Sequence, residues 1–334
     1  MPNQHAIRNG IGVVRGLLAT ILLCLIPLAV MAQVDLLQPI HNIALKAPPD
    51  PPPPGGPKFY SRTGPDPNWS VDQWNIPDGA LSPFTAQIVD GNTVYYSSAP
   101  EASVKIIQGR QGTQIDLAQN GEVLPCMTKT GLPRESDLLL SANSSPVNSP
   151  GVPGMALEGR SNPSLSVLSS LRFKANLVVT EGVIRAGKEC GVSQGSALLG
   201  IILSDAQSHP QQTMFYQLSF DRLCGIQPRG RDKLCHEMRR TPLFFSRKNP
   251  YGVADFLPLL GIPFMHGHDH LHLDFDVLPR LQEIIQTGPE GSDHNLSHWV
   301  VSGLYVGQAI WGGVTLGSSW QGIRLLASTQ TTGG

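Results

Sequence analysis

From Trp299 to Trp311 the chain reads Trp-Val-Val-Ser-Gly-Leu-Tyr-Val-Gly-Gln-Ala-Ile-Trp. Aromatic residues spaced by glycines in this way can recognise a flat, polyhydroxylated molecule. Side chains of a strand alternate between its two faces. One uninterrupted strand would put Trp299, Val301, Gly303, Tyr305, Gly307, Ala309 and Trp311 on one face. Val300, Leu304, Val306 and Ile310 would take the other, an apolar set suited to a core. Glycine leaves the backbone open to close approach. Tyr305, between Gly303 and Gly307, is therefore expected on the floor of a groove, with Trp299 and Trp311 beside it. Sugar rings stack on such platforms. The same aromatics would serve equally well packed under another element, and alternation alone does not separate the two.

A second constellation is His266-Gly-His268-Asp-His270-Leu-His272. In an extended segment His266, His268, His270 and His272 share one face, and neutral imidazoles are good zinc or copper ligands. Two neighbouring histidines can share an ion, but four on one ladder cannot all reach it. The spacing matches no established metal motif. The alternative is a strand with Leu271, Leu273 and Phe275 inward and the histidines outward. Serine–histidine–aspartate catalysis finds little support. The carboxylates near expected strands are Asp137, Glu181, Asp205 and Asp221, any two of which could pair across a substrate, although single surface carboxylates usually serve solubility.

The elements that must position these groups are strands. Thr93–Ser97, Val104–Gln108, Gln114–Ala118, Asp137–Ser141, Leu171–Thr180, Ala197–Ser204 and Thr213–Asp221 are strand-like, and glycine, proline, asparagine and serine clusters separate them. One helix is expected. Val277, Leu278, Leu281, Ile284 and Ile285 recur at helical spacing, Asp276 is placed to cap the start, Pro279 is tolerated in the first turn and Gly288 can close the end. Many strands, one late helix and two final strands predict an all-β, two-sheet antiparallel sandwich.

Composition sets the compartment and the partners. Arg8 and Arg15 precede an apolar run from Leu17 to Val30, and Val30-Met31-Ala32 supplies small residues before Gln33. This resembles a secretory signal peptide over residues 1–32, too short an apolar run for a membrane anchor. The mature chain is expected to be exported, with no stable membrane insertion. Pro48 to Pro57 predicts an extended spacer, so 33–58 is assigned to a linker and 59–329 to the folded domain. Beyond the apolar run the cysteines are Cys126, Cys190, Cys224 and Cys235, an even number suited to disulfides in an exported protein. Three pairings are possible. The turn-rich segment between Cys224 and Cys235 favours that pair, leaving Cys126 with Cys190. With 24 basic and 25 acidic side chains there is no basic stripe for nucleic acid.

Three segments together carry a family resemblance: Phe215-Tyr-Gln217-Leu-Ser-Phe220, then Phe275-Asp-Val-Leu-Pro-Arg-Leu281, then Leu304-Tyr305-Val-Gly-Gln308-Ala-Ile-Trp311-Gly-Gly313. Over the last third of the chain this resembles family 12 glycoside hydrolases, concanavalin A-like jelly rolls whose concave face holds a glycan chain. The resemblance implies a polysaccharide or glycan as partner and no cofactor. It also implies two catalytic acids, which a retaining glycosidase needs on either side of the scissile bond. The family's acids fall at Gln217 and at Gln308 or Ala309, where neither an amide nor a methyl group can transfer a proton. The resemblance thus implies a lectin-like, non-catalytic site of Tyr305, Trp311, Trp299, Gln217 and Gln308. The alternatives are a β-glucan hydrolase with a relocated acid pair and a metal-binding secreted protein using the histidine run. Trp69 and Trp74 are expected to cap the sandwich edge, or else to extend the glycan platform.

Overall fold

A computed structural model describes residues 33–46, 59–74, 76, 81–121, 135–142, 162–184, 192–205, 207, 211–220, 223–226, 243–247, 249–256 and 270–329. The first strands are β1 (Gln33–Asp35), β2 (Ile43–Lys46), β3 (Phe59–Arg62), β4 (Trp69–Trp74), β5 (Thr85–Val89), β6 (Asn92–Ser98), β7 (Ala102–Gly109), β8 (Gly112–Asn120) and β9 (Glu135–Ser141). Then come β10 (Leu168–Ile184), β11 (Val192–Asp205), β12 (Thr213–Ser219), β13 (Leu223–Ile226), β14 (Leu243–Arg247), β15 (Tyr251–Phe256) and β16 (His270–Asp276). Helix α1 (Leu278–Gln286) precedes β17 (Trp299–Trp311) and β18 (Val314–Thr329). All seven strands expected from the sequence lie in observed ones, apart from the last residues of the Thr213 run.

The strands form two sheets. The smaller runs β16-β10-β18-β8-β7-β6-β5, with β1 added against β18. The larger runs β14-β15-β12-β11-β17-β9-β4-β2-β3, with β13 against β11. Pairing is antiparallel except for β2 with β4 and β12 with β15. This is the all-β two-sheet sandwich that the alternation predicted, with the jelly-roll arrangement that the family resemblance implied. The segment assigned to a linker is corrected in part. Residues 33–46 supply one strand to each sheet because Ile43, Ala44 and Leu45 are wholly buried. The proline run from residue 48, the signal-like segment and the cysteines at 126, 190 and 235 lie outside the described residues. Cys224 is described only as backbone, opposite Gln194.

Inward-facing residues of both sheets make one core. β10 contributes Leu171, Phe173, Leu177 and Val179, and β11 contributes Leu199, Ile201 and Leu203. Phe173, Phe220, Phe275 and Trp320 form an aromatic knot with centroids 5.7–6.3 Å apart. The helix buries Leu278, Leu281, Ile284 and Ile285 into that core, the face its spacing predicted. The cap falls one residue later than expected: Val277 is the N-cap and makes no side-chain cap bond, while Asp276 Oδ1 accepts Leu278 N–H at 3.0 Å and Leu171 N–H at 2.9 Å and so ties the helix start to β10. Arg280 fixes the helix to β15 with a two-pronged pair to buried Asp255, Nε–Oδ2 2.6 Å and Nη2–Oδ1 3.1 Å.

The face assignment of β17 needs correcting at its start. Ile202 pairs with Gly303 but Leu203 pairs with Val301, so Ser302 is an extra residue. A bulge of this kind inverts the alternation. Before it, Trp299 and Val301 point inward. After it, Leu304, Val306, Gln308 and Ile310 point inward, and Tyr305, Gly307, Ala309 and Trp311 point outward.

Candidate functional site

The outer face of the larger sheet brings together three of the five residues of the expected glycan site, Tyr305, Trp311 and Gln217, with the carboxylate Asp137. One cross-strand row runs Gln217, Gly200, Tyr305, Ser141, Ser70 across β12, β11, β17, β9 and β4. The Tyr305 ring lies over Gly200. A Cβ there would sit 1.9 Å from its Cζ. Across that gap the Gln217 amide donates to the Tyr305 hydroxyl at 2.9 Å. Leu139, Leu198, Ile202 and Ala309 surround the ring, and Tyr305 is only 6 % exposed. The expected open platform is therefore an apolar patch with the ring set into it. Burial, with Asp137 nearby, pushes the Tyr305 hydroxyl well up, against the lowering effect of the Gln217 bond.

Further along β9, Glu135 and Asp137 stand on the same face. Glu135 is opposite Trp311, and Asp137 is opposite Ala309 on one side and Trp74 on the other. Trp311 is half-buried and hydrogen-bonds to Glu135. Trp74 is 47 % exposed, while Trp69, at the other end of β4, is buried in the core. Burial raises both carboxyls. It raises Asp137 far above the ordinary value, with the Glu135 charge adding to it, and raises Glu135 despite the Trp311 bond. Asp137 Oδ1 is enclosed with no hydrogen-bond partner. Towards the sheet edge the face turns polar: Lys46 pairs with Asp72 at 2.7 Å, and Ser141 donates to Asp72 at 2.6 Å.

A carboxyl raised by folding binds a proton more tightly in the native state than in the unfolded chain. Stability then falls as pH climbs above the unfolded value near 3.8. Asp137→Asn removes that penalty. We expect the variant to be more stable than the parent at neutral pH, with the gain fading as pH drops to the ordinary carboxylate range. Paired urea titrations across pH check this, and a constant difference at all pH would refute it.

Two residues assigned to the site lie elsewhere. Gln308 is wholly buried between the sheets. Its amide donates to Leu316 O at 2.9 Å, and its oxygen accepts from Ser318 Oγ at 2.7 Å, which in turn accepts from Trp320 Nε1 at 3.1 Å. Its parity with Leu304 and Val306 already gave that direction. Trp299 packs edge-on against Tyr251 at 6.1 Å and donates to Asp293 O. The Ser302 bulge turned it inward.

The remaining candidates separate. His270 and His272 are exposed on the outer face of the smaller sheet with Leu271 and Leu273 turned to the core, and His272 bonds Asn176 at 2.9 Å. His266, His268 and Asp221 lie outside the described residues. Glu181 is exposed on β10. Among the described residues a different set of metal-ligating groups converges: Asp205, Asp293 and His298, with ligand atoms within 4.8 Å of one another. His298 Nδ1 lies 2.5 Å from Asp293 Oδ2. Burial raises Asp293, but the Asn295 N–H, His298 and Asp205 together bring it below its ordinary value. Gly191-Val-Ser193-Gln-Gly195 has the spacing of a nucleophile elbow. Ser193, however, is buried inside β11 and accepts Gly313 N–H at 3.3 Å, not exposed on a strand-to-helix turn.

No family model and no curated protein matches this chain. Solved structures do. The family 11 xylanase from Neocallimastix patriciarum shares 6 % identity, covering 77 % of this chain and 100 % of that one, with a TM-score of 0.40. The family 12 xyloglucanase from Bacillus licheniformis shares 9 % over 74 % and 99 %, TM-score 0.39. The family 12 endoglucanase 3 from Trichoderma harzianum shares 7 % over 75 % and 96 %, TM-score 0.36. Family 12 glycoside hydrolases, which the last third of the chain was expected to resemble distantly, are among these matches. No described helix is long and apolar enough to cross a membrane.

Proposed function

We propose that this is an exported polysaccharide-binding protein whose ligand lies on the outer face of the larger sheet. The observation that carries this is the pair of tryptophans, Trp74 and Trp311, on β4 and β17 on either side of β9. Two strand spacings separate their strands, roughly 10 Å. Exposed Trp74 and half-buried Trp311 offer apolar faces to sugar rings, and the carboxyls and the Gln217–Tyr305 pair offer groups for their hydroxyls. The signal-like N-terminal segment supports export. Isothermal titration with xyloglucan, xylan, mixed-linkage β-glucan, chitin and chitosan oligosaccharides tests it. Trp74→Ala and Trp311→Ala should each weaken binding by about 0.5–1.5 kcal/mol, roughly 2- to 10-fold in Kd. Absence of binding to every one of these would end the proposal.

A second function is favoured by one observation, the raised acid pair. One carboxyl that keeps its proton beside one that ionises is the equipment for cleaving an acetal. Asp137 would protonate the glycosidic oxygen and Glu135 would take a proton from the attacking water. Release of reducing ends, abolished in Asp137→Asn while that variant stays folded, supports it. Binding without release of reducing ends leaves the protein a lectin.

A further inference from the structure

The strip between Trp74 and Trp311 carries a charge that neutral sugar rings do not answer. Glu135 and Asp137 alternate along β9, so both carboxyls leave one face, with Cα atoms about 6.5–7 Å apart. Among the described residues neither has a lysine or arginine partner. Lys46, two strands away, is engaged by Asp72, and the other described ion pairs involve different carboxylates. The enclosed Asp137 Oδ1 accepts no hydrogen bond. Indole faces attract cations, best where water is excluded. One chemical group suits all of these features together: an ammonium, positively charged, with three donors.

We propose that the outer face selects a polysaccharide bearing free amino groups, a glucosamine-type amino sugar, whose ammonium sits between Glu135 and Asp137 against Trp74 and Trp311. This rests on the polysaccharide-binding function and names its ligand class. Burial raises both carboxyls, and the Glu135 charge raises Asp137 further. An adjacent cation favours their charged forms. Binding of an amino sugar therefore expels protons from the pair. A neutral glycan, bringing no charge, leaves their protonation as it was. Among the described residues, Tyr305, the Lys46–Asp72 pair and the exposed Arg62 on β3, which ends the cross-strand row of Tyr305, Ser141, Ser70 and Ala44, also face this side of the sheet. Burial pushes the Tyr305 hydroxyl up, so it keeps its proton at mildly acidic pH, where the sugar amine is protonated.

The test is calorimetric titration at mildly acidic pH with chitosan oligosaccharides, the matching N-acetylated chitin oligosaccharides and cello-oligosaccharides. Chitosan should bind about tenfold or more tighter than its acetylated form. Its apparent enthalpy should change between buffers of different ionisation heat, which reports proton release. Added salt should weaken it selectively. Glu135→Gln and Asp137→Asn should each bring chitosan affinity down to that of the acetylated oligosaccharide and reduce the proton release, with thermal unfolding confirming that both variants fold. Equal affinities for all three ligands, or a chitosan preference that survives both substitutions, overturns the amino-sugar proposal and leaves polysaccharide binding standing. No binding of any of the three overturns both.

Discussion

Asp255→Ala is expected to destabilise the protein by about 3–5 kcal/mol, because it leaves a largely buried guanidinium without its buried counter-charge at the edge of the core. Asp255 is fully buried, and the Arg280 side chain is 17 % exposed. Two nitrogens of Arg280 reach two oxygens of Asp255, the bidentate geometry that is strongest for this pair. The surrounding side chains raise the arginine further above its ordinary value, the Asp255 bond contributing most. The remaining partner after the substitution is Glu283, itself 60 % exposed, at 2.8 Å from Nη1. Such an exposed pair contributes little. The consequence extends beyond stability, since Asp255 lies on β15 and Arg280 on α1, and this pair holds the helix against the sheet. Urea denaturation measures the loss. Replacing both residues with apolar ones of similar size should recover most of it, because no buried charge is then left alone. A loss under about 1 kcal/mol for Asp255→Ala would show that the pair is solvated, contrary to the geometry.

The strands were legible because their period of two is written in the apolar residues. Ser136, Leu138 and Leu140 point inward, and Glu135, Asp137 and Leu139 outward, as a half-buried strand requires. The helix was legible for the same reason at a period of 3.6. What alternation cannot reveal is an inserted residue. Ser302 has no sequence signature, and it moved Trp299 from the expected site into the core. Gln308 is the opposite case. Its parity placed it inward from the outset, and only the resemblance drew it to the groove. The short strand at 43–46 went unnoticed because four residues before a proline run carry little pattern. The acid pair was half visible. Asp137 was a named carboxylate, but Glu135 lay just before the expected strand start, and neither residue's environment can be read without knowing that Trp311 and Trp74 flank them. For Trp74 the sequence leaves edge cap and platform open, because exposure is a property of neighbouring strands and not of the sequence around a tryptophan.

Gly200→Ala should cost about 1–3 kcal/mol and should do so only while Tyr305 is present. A Cβ at Gly200 would meet Tyr305 Cζ at 1.9 Å, Cε2 at 2.1 Å and Cε1 at 2.3 Å. Three contacts on one ring mean that the ring lies flat over the glycine, so no small tilt relieves the clash. Tyr305 must swing off the sheet, which breaks its bond from Gln217 and opens the apolar patch of Leu139, Leu198 and Ile202. Glycine is not required here for its backbone freedom. Its part is to leave room for the Tyr305 ring to cross β11 and reach Gln217, and so to let one tyrosine bridge β17, β11 and β12. In a Tyr305→Ala background the same Gly200→Ala change has nothing to strike, and alanine suits a strand better than glycine. The double-mutant cycle should therefore return a coupling energy close to the whole cost of the single Gly200→Ala change. Independent, additive losses would mean that the ring can leave Gly200 freely. The Tyr305–Gln217 bridge would then be an incidental contact and not the element that fixes this end of the outer face.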